Sequence, residues 1–194
     1  MEWTIPGTVL TAPKEEAAQI PEQFRAMFMA GGIVLSQVAA ITGLESYMIQ
    51  NWVKRGFLTN PQNKRYTLRQ LCRIININML KSVLPLERIC SLLGYVNGRL
   101  NDESDDMIDD SQLYFLFVKL REYQTGKVVL FDLALLLKTE SRETVLEEEL
   151  ANYIEPVPGA KARVKEVLRV MLTAWLAARM TREAERMLAT LQTE

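Results

Sequence analysis

Residues 33–58, IVLSQVAAITGLESYMIQNWVKRGFL, and residues 64–93, KRYTLRQLCRIININMLKSVLPLERICSLL, decide how this chain folds. In the first block Ser36 can cap a helix running through Ile41, with Val38, Ala39 and Ile41 turned inward. Gly43 then supplies the left-handed corner that a tight helix-helix connection needs, and Leu44 plugs it. Ser46 can cap a second helix to Arg55, closed by Gly56. Ile49, Trp52 and Val53 form its inward set at i, i+3 and i+4, which leaves Tyr47, Met48, Gln50, Asn51, Lys54 and Arg55 outside. A helix, a short glycine turn and a second helix are the outline of a helix-turn-helix.

Between the two blocks lies Thr59-Asn60-Pro61-Gln62-Asn63, a polar turn bracketed by Phe57-Leu58 and Tyr66. That pattern predicts a small β-hairpin, or wing, with Lys64 and Arg65 at its tip and Tyr66 as its anchor. Thr67 then caps a helix to about Ser82, and Pro85 opens another that ends near Gly94.

Charge is segregated around this unit. Residues 33–99 carry nine Lys or Arg against only Glu45 and Glu87, an excess of +7, while the rest of the chain stands at −8 within an overall charge of −1. Such an imbalance points to an anionic partner for one part of the molecule. If the second helix enters a major groove, Gln50 and Asn51 each bring an amide donor and acceptor that can read adenine. Ser46, Tyr47 and Met48 lie at the helix start, where thymine methyls or a phosphate are in reach, and Lys54, Arg55, Lys64 and Arg65 suit phosphates.

In order, these landmarks resemble the winged helix-turn-helix domain of MerR-type regulators. The match rests on Val38-Ala39 leading to Gly43, Ile49-Gln50-Asn51-Trp52, Gly56-Phe57-Leu58, Lys64-Arg65-Tyr66, Gln70-Leu71-Cys72-Arg73-Ile74 and Leu86 to Leu93. It covers roughly 60 of the 194 residues. The chain also resembles a bacterial family of uncharacterised proteins that joins such a head to a helical tail. Gln50 and Asn51 stand where the regulators carry Arg and Tyr. The long dimerising helix that follows the head in that family is replaced by the break Gly94-Tyr95-Val96-Asn97-Gly98. The resemblance implies a homodimer on a palindromic double-stranded DNA site, with a C-terminal effector region. The thiolate metal sensors of that family use cysteines in the tail, and this tail has none. A small organic effector in the apolar tail, or no effector, both stay open.

Outside the head, residues 1–32 read as an N-terminal arm, docked through Trp3 and Ile5, and a lead-in helix beginning at Pro21 and stopped by Gly31-Gly32. Residues 99–110 hold six acidic side chains without the glycine and terminal glutamate of a calcium loop, and read as a solvated linker that keeps DNA off the tail. Residues 111–194 read as a helical domain. It comprises a nearly all-apolar helix from Ser111 to Gly126, a buried segment near 130–137, and an amphipathic helix from Ser141 to about Tyr153 with Glu147, Glu148 and Glu149 outward. After Pro156 and Pro158 comes a long apolar stripe from Val164 to Leu191. That stripe packs within the chain or forms a dimer or partner seam. The expected fold is therefore all-α: a winged helix-turn-helix head with a small hairpin, followed by a helical C-terminal domain.

The chain has no histidine and two cysteines, Cys72 and Cys90, without CxxC spacing. The commonest general base and the commonest zinc ligand are thus both missing, and the thiols read as buried. No nucleophile elbow, phosphate-binding glycine loop or cofactor motif appears, so no catalytic or metal residue is assigned. The opening residues do not form a signal peptide, and no apolar run approaches a membrane span, so the expectation is a cytoplasmic protein. Beside the DNA-binding reading stands a protein-interaction module that uses the helix-turn-helix only as a fold and binds its partner through the apolar C-terminal helices.

Overall fold

The computed structural model describes residues 2–123 and 146–191. The chain is mainly α-helical with two very small antiparallel sheets. Its elements are β1 (Glu2–Thr4), β2 (Thr11–Pro13), α1 (Ile20–Met27), β3 (Ile33–Val34), α2 (Leu35–Thr42), α3 (Ser46–Lys54), β4 (Arg65–Tyr66), α4 (Leu68–Leu80), α5 (Leu86–Asn97), α6 (Asp110–Tyr123) and α7 (Ala160–Leu191). The buried segment expected near 130–137, Gly126 and the start of the helix expected at Ser141 lie outside the described residues.

Helix α4 is the axis of the molecule. LRQLCRIININML is apolar on almost every side, and ten of its residues are buried, including Arg73, Asn76 and Gln70. A helix surrounded in this way must be covered from several directions. Helix α2 packs on one side, α5 and α7 on others, and α6 makes the most extensive contact. Its start is fixed by a capping box: Gln70 N donates to Thr67 Oγ1 and Thr67 N donates to Gln70 Oε1, which satisfies two of the orphan donors of a first turn.

Helices α2 and α3 form the expected corner. Gly43 sits at φ +68°, and Val38, Ile41, Leu44, Ile49 and Trp52 are buried beneath it. The caps differ from expectation. Pairing of Val34 with Arg65 holds Val34 extended, so α2 begins at Leu35 and is capped by Gln37, whose Oε1 accepts from Val34 N. In α3 the N-cap is Glu45 and Ser46 is the first helical residue, with no side-chain cap bond. Helix α5 runs through Gly94 to Asn97 and stops at Gly98, four residues before Asp102 begins the acidic segment.

The hairpin is also rearranged. Its turn is present: Arg65 N donates to Gln62 O, and Asn63 and Lys64 both adopt positive φ, 49° and 61°, the two-residue turn geometry that suits a hairpin. The strand that pairs with Arg65–Tyr66, however, is Ile33–Val34 and not Phe57–Leu58. Ile33 and Tyr66 face each other in this register and are both buried. Pairing two buried side chains outweighs the shorter loop that a Phe57–Leu58 partner would need.

The N-terminal arm docks through Ile5, which is buried. Asn78 Nδ2 donates to both Gly7 O and Thr42 O, and Tyr114 Oη donates to Pro6 O. One apolar core runs from Ile5 to Leu176 through arm, head and α6 and α7.

Candidate nucleic-acid interface

Helix α3 has two distinct faces. Ile49 and Trp52 are buried on one, while Tyr47, Gln50, Asn51 and Lys54 are exposed on the other. The exposed four stand at i, i+3, i+4 and i+7, a single stripe directly opposite the buried pair. Of the other candidates on this helix, Ser46 and Met48 lie on its flanks and are half-buried, and Met48 packs against the core.

The cations do not all stay available. Lys54 and Lys64 are exposed and form no ion pair among the described residues, and Lys64 occupies the hairpin tip. Arg65 is exposed and donates from Nη1 to Gly32 O, which orients its guanidinium along the sheet edge. Arg55 is held back: its guanidinium pairs with Glu87 of α5 and lies 4.5 Å from the centre of the Phe57 ring.

Of the cations counted in the +7 excess, Arg73 is buried and Arg69 half-buried. Arg73 Nη1 lies 3.2 Å from Asp110 Oδ2, with side chains only 8% and 1% exposed. Arg69 Nη1 lies 2.7 Å from Asp106 Oδ2 and 3.2 Å from Glu103 Oε1. The acidic segment is therefore solvated only in part, with Glu103 and Asp105 exposed. Asp106 and Asp110 turn inward to meet two arginines that α4 has carried into the interior, because a buried guanidinium needs carboxylate partners. Burial raises the Asp110 carboxyl above its ordinary value despite Arg73 and Arg69, and raises Asp106 to about 6. Asp106 Oδ1 and Arg69 Nη2 are buried without a hydrogen-bond partner, which accords with a site where desolvation exceeds attraction.

This charged cluster is tied to the end of α3 and the loop that follows it. Arg73 Nε donates to Phe57 O at the end of α3. Gln70 Nε2 donates to Thr59 O, Thr59 Oγ1 and Asn60 O. The loop from α3 to the hairpin is thus tied to α4 by two side chains, one of which is also bonded to the first residue of α6. A polar cleft of about 370 Å³ opens beside it, between Thr59–Gln62, the start of α4 and Leu100–Glu103. The sequence had marked Arg73 and Gln70 only as helix landmarks. The available signal was their position on a helix too apolar to leave one face in water.

Cys72 is fully buried and Cys90 half-buried, both as free thiols, and burial raises both thiol pKa values. Among the described residues no three His, Cys, Asp or Glu gather as metal ligands, and no helix is long and apolar enough to cross a membrane.

Residues 32–117 match a family model described as a domain of unknown function, DUF1836. An uncharacterised protein of Bacillus subtilis (strain 168), YkrK, is 31% identical over 86 residues, which covers 42% of this chain and 37% of that protein. The chain thus spans well under half the length of this relative. No solved structure matches the chain. The family match begins at Gly32, just before β3, and ends at Phe117 within α6. It takes in both halves of the Arg73–Asp110 pair, so the matched unit continues past residue 98 to include the element that neutralises α4.

Proposed function

We propose that residues 33–98 are a winged helix-turn-helix of the MerR type and that the chain is a sequence-specific DNA-binding transcriptional regulator acting as a homodimer in the cytoplasm. The observation that carries this is the stripe Tyr47, Gln50, Asn51 and Lys54, fully outward on a helix whose other face is anchored by Ile49 and Trp52. The stripe offers two amide side chains for base edges with a lysine for the backbone, and a hairpin tip with Lys64 stands in the same unit. Phosphate contacts would come from Lys54, Lys64 and Arg65. Arg55 would join them only by leaving Glu87.

Duplex binding measured against salt tests this. Lys54→Glu and Arg65→Glu should weaken binding to every sequence and flatten the slope of log affinity against log salt by about one unit per lost contact. Asn51→Ala should relax sequence preference instead. No salt-dependent retention of mixed duplex at low ionic strength would refute the reading. The second reading, a protein-interaction module, draws support from the exposed Met180, Met187, Leu188 and Leu191 of α7. A stable protein complex without nucleic acid, together with no DNA retention, would favour it.

A further inference from the structure

One carboxamide ties together both ends of the segment that carries the hairpin. Gln70 is buried in the first turn of α4. Its Oε1 accepts from Thr67 N at 2.9 Å, just after β4. Its Nε2 faces Thr59 Oγ1 at 2.8 Å, Thr59 O at 3.1 Å and Asn60 O at 3.2 Å, on the loop that leaves α3. Arg73, one turn further along the same face of α4, donates from Nε to Phe57 O at 2.9 Å. The turn with Lys64 at its tip lies between the two ends that Gln70 holds.

The two limbs of the hairpin are held differently. Arg65–Tyr66 pairs with β3. On the other limb, Gln62 bridges to Arg65 across the turn. Among the described residues, Thr59, Asn60 and Pro61 are hydrogen-bonded through Gln70 alone. That limb also borders the open cleft of about 370 Å³, where Asn60 and Gln62 are exposed. Packing therefore covers it on one side only, and the carboxamide sets its place.

We infer that Gln70 is a positioning residue of the nucleic-acid interface: it fixes where the hairpin tip with Lys64 stands relative to the stripe Tyr47, Gln50, Asn51 and Lys54. This role rests on the DNA-binding reading. Phosphate contacts set the register in which base edges are read, and a binding constellation works when its support holds it to within about 0.5 Å. A tip freed from Gln70 still meets a duplex, but no longer in one phase with Gln50 and Asn51. The loss falls on discrimination between sequences rather than on attraction to DNA in general.

Two substitutions separate this role from the capping of α4. Gln70→Glu keeps an acceptor for Thr67 N, so the capping box survives, but an ionised carboxylate has no N–H for Thr59 and Asn60. Thr67→Ala removes the hydroxyl that accepts from Gln70 N and keeps every bond of the Gln70 carboxamide. Backbone nitrogen relaxation of the full chain without DNA reads the hairpin first. In the parent and in Thr67→Ala, order parameters of Asn60, Gln62 and Lys64 should stay near the rigid value of about 0.85, and in Gln70→Glu they should fall toward about 0.6. Fluorescence anisotropy at neutral pH then compares a duplex selected from a random pool with a mixed duplex. Gln70→Glu should lose about tenfold in the ratio of the two affinities, the scale of one base contact, while Thr67→Ala keeps the parent ratio and loses only thermal stability. The ratio cancels the added negative charge, which weakens both duplexes alike. Order parameters unmoved by Gln70→Glu overturn the inference whatever the duplexes show, and so does a mobile hairpin that discriminates as well as the parent. A parent that retains no duplex refutes the DNA-binding reading and this role with it, even where the order parameters respond as expected, so the two failures are told apart.

Discussion

Replacing Arg73 by methionine, and separately Asp110 by asparagine, should destabilise the protein through different chemistry, and pH separates the two. The pair is almost solvent-free, with 8% and 1% side-chain exposure, and breaking a buried pair typically costs about 3–5 kcal/mol. In the Asp110→Asn variant Arg73 cannot shed its charge, since guanidinium stays protonated throughout the accessible range. The variant itself then carries no titration at position 110, so its own stability lacks the pH dependence that this carboxyl gives. In the Arg73→Met variant, Asp110 keeps only Arg69 at 3.9 Å. Burial already raises its carboxyl, so it takes up a proton in the folded state. Its folded pKa then lies above the unfolded value near 3.9, so stability is present at low pH and lost as pH rises through the folded pKa. The Arg73→Met penalty is therefore smaller at pH 5 than at pH 7. Urea unfolding of both variants and the parent at these two pH values measures the difference. An Arg73→Met penalty that does not shrink on acidification would refute the argument.

Asp106, at about 6 in the folded state, should by the same sign make the parent more stable as pH falls from 7 toward 4. Thermal melts of Asp106→Asn should lack that gain and show a higher midpoint than the parent at pH 7.5. Glu87→Gln releases Arg55 from its cross-helix partner and should strengthen duplex binding at low salt, with a steeper salt slope, in a fluorescence anisotropy titration. Gly43→Ala places a Cβ 2.6 Å from Val9 Cγ1 at φ +68° and should cost about 1–2 kcal/mol in urea unfolding, since L residues resist that backbone region.

The corner at Gly43 and the inward set Val38, Ile49 and Trp52 could be read from sequence because local periodicity and one glycine specify them. The exposed stripe of α3 follows from the same period, as the complement of the buried face. Other features depend on partners distant in the chain. Nothing near Arg65 and Tyr66 announces that their strand partner is Ile33–Val34. Arg69 and Arg73 looked like surface cations because a charge count ignores which helix is surrounded. Asp106 and Asp110 looked like part of a solvated run for the same reason. Along α7, Val164 to Leu191 read as one stripe, yet the residues divide into a packed face and an exposed one. Apolar spacing identifies a face without saying what covers it. At α6 the cap is Asp109, whose Oδ1 accepts from Ser111 N and Gln112 N, two residues earlier than Ser111 itself.

The docking of the first residues has a consequence for the order of assembly during synthesis. Gly7 is held by Asn78, 71 residues later, and Pro6 by Tyr114, 108 residues later. A nascent chain that has just completed α2 and α3 therefore has only part of the support for its amino-terminal hairpin, where Val9 N donates to Ile41 O. Gly7 gains its partner only when α4 emerges, and Pro6 only with α6. Contacts of such long sequence separation slow the search for the native state. An excised head of residues 33–98 would skip that wait but would leave Asn78 without its Gly7 acceptor and α4 without Asp110.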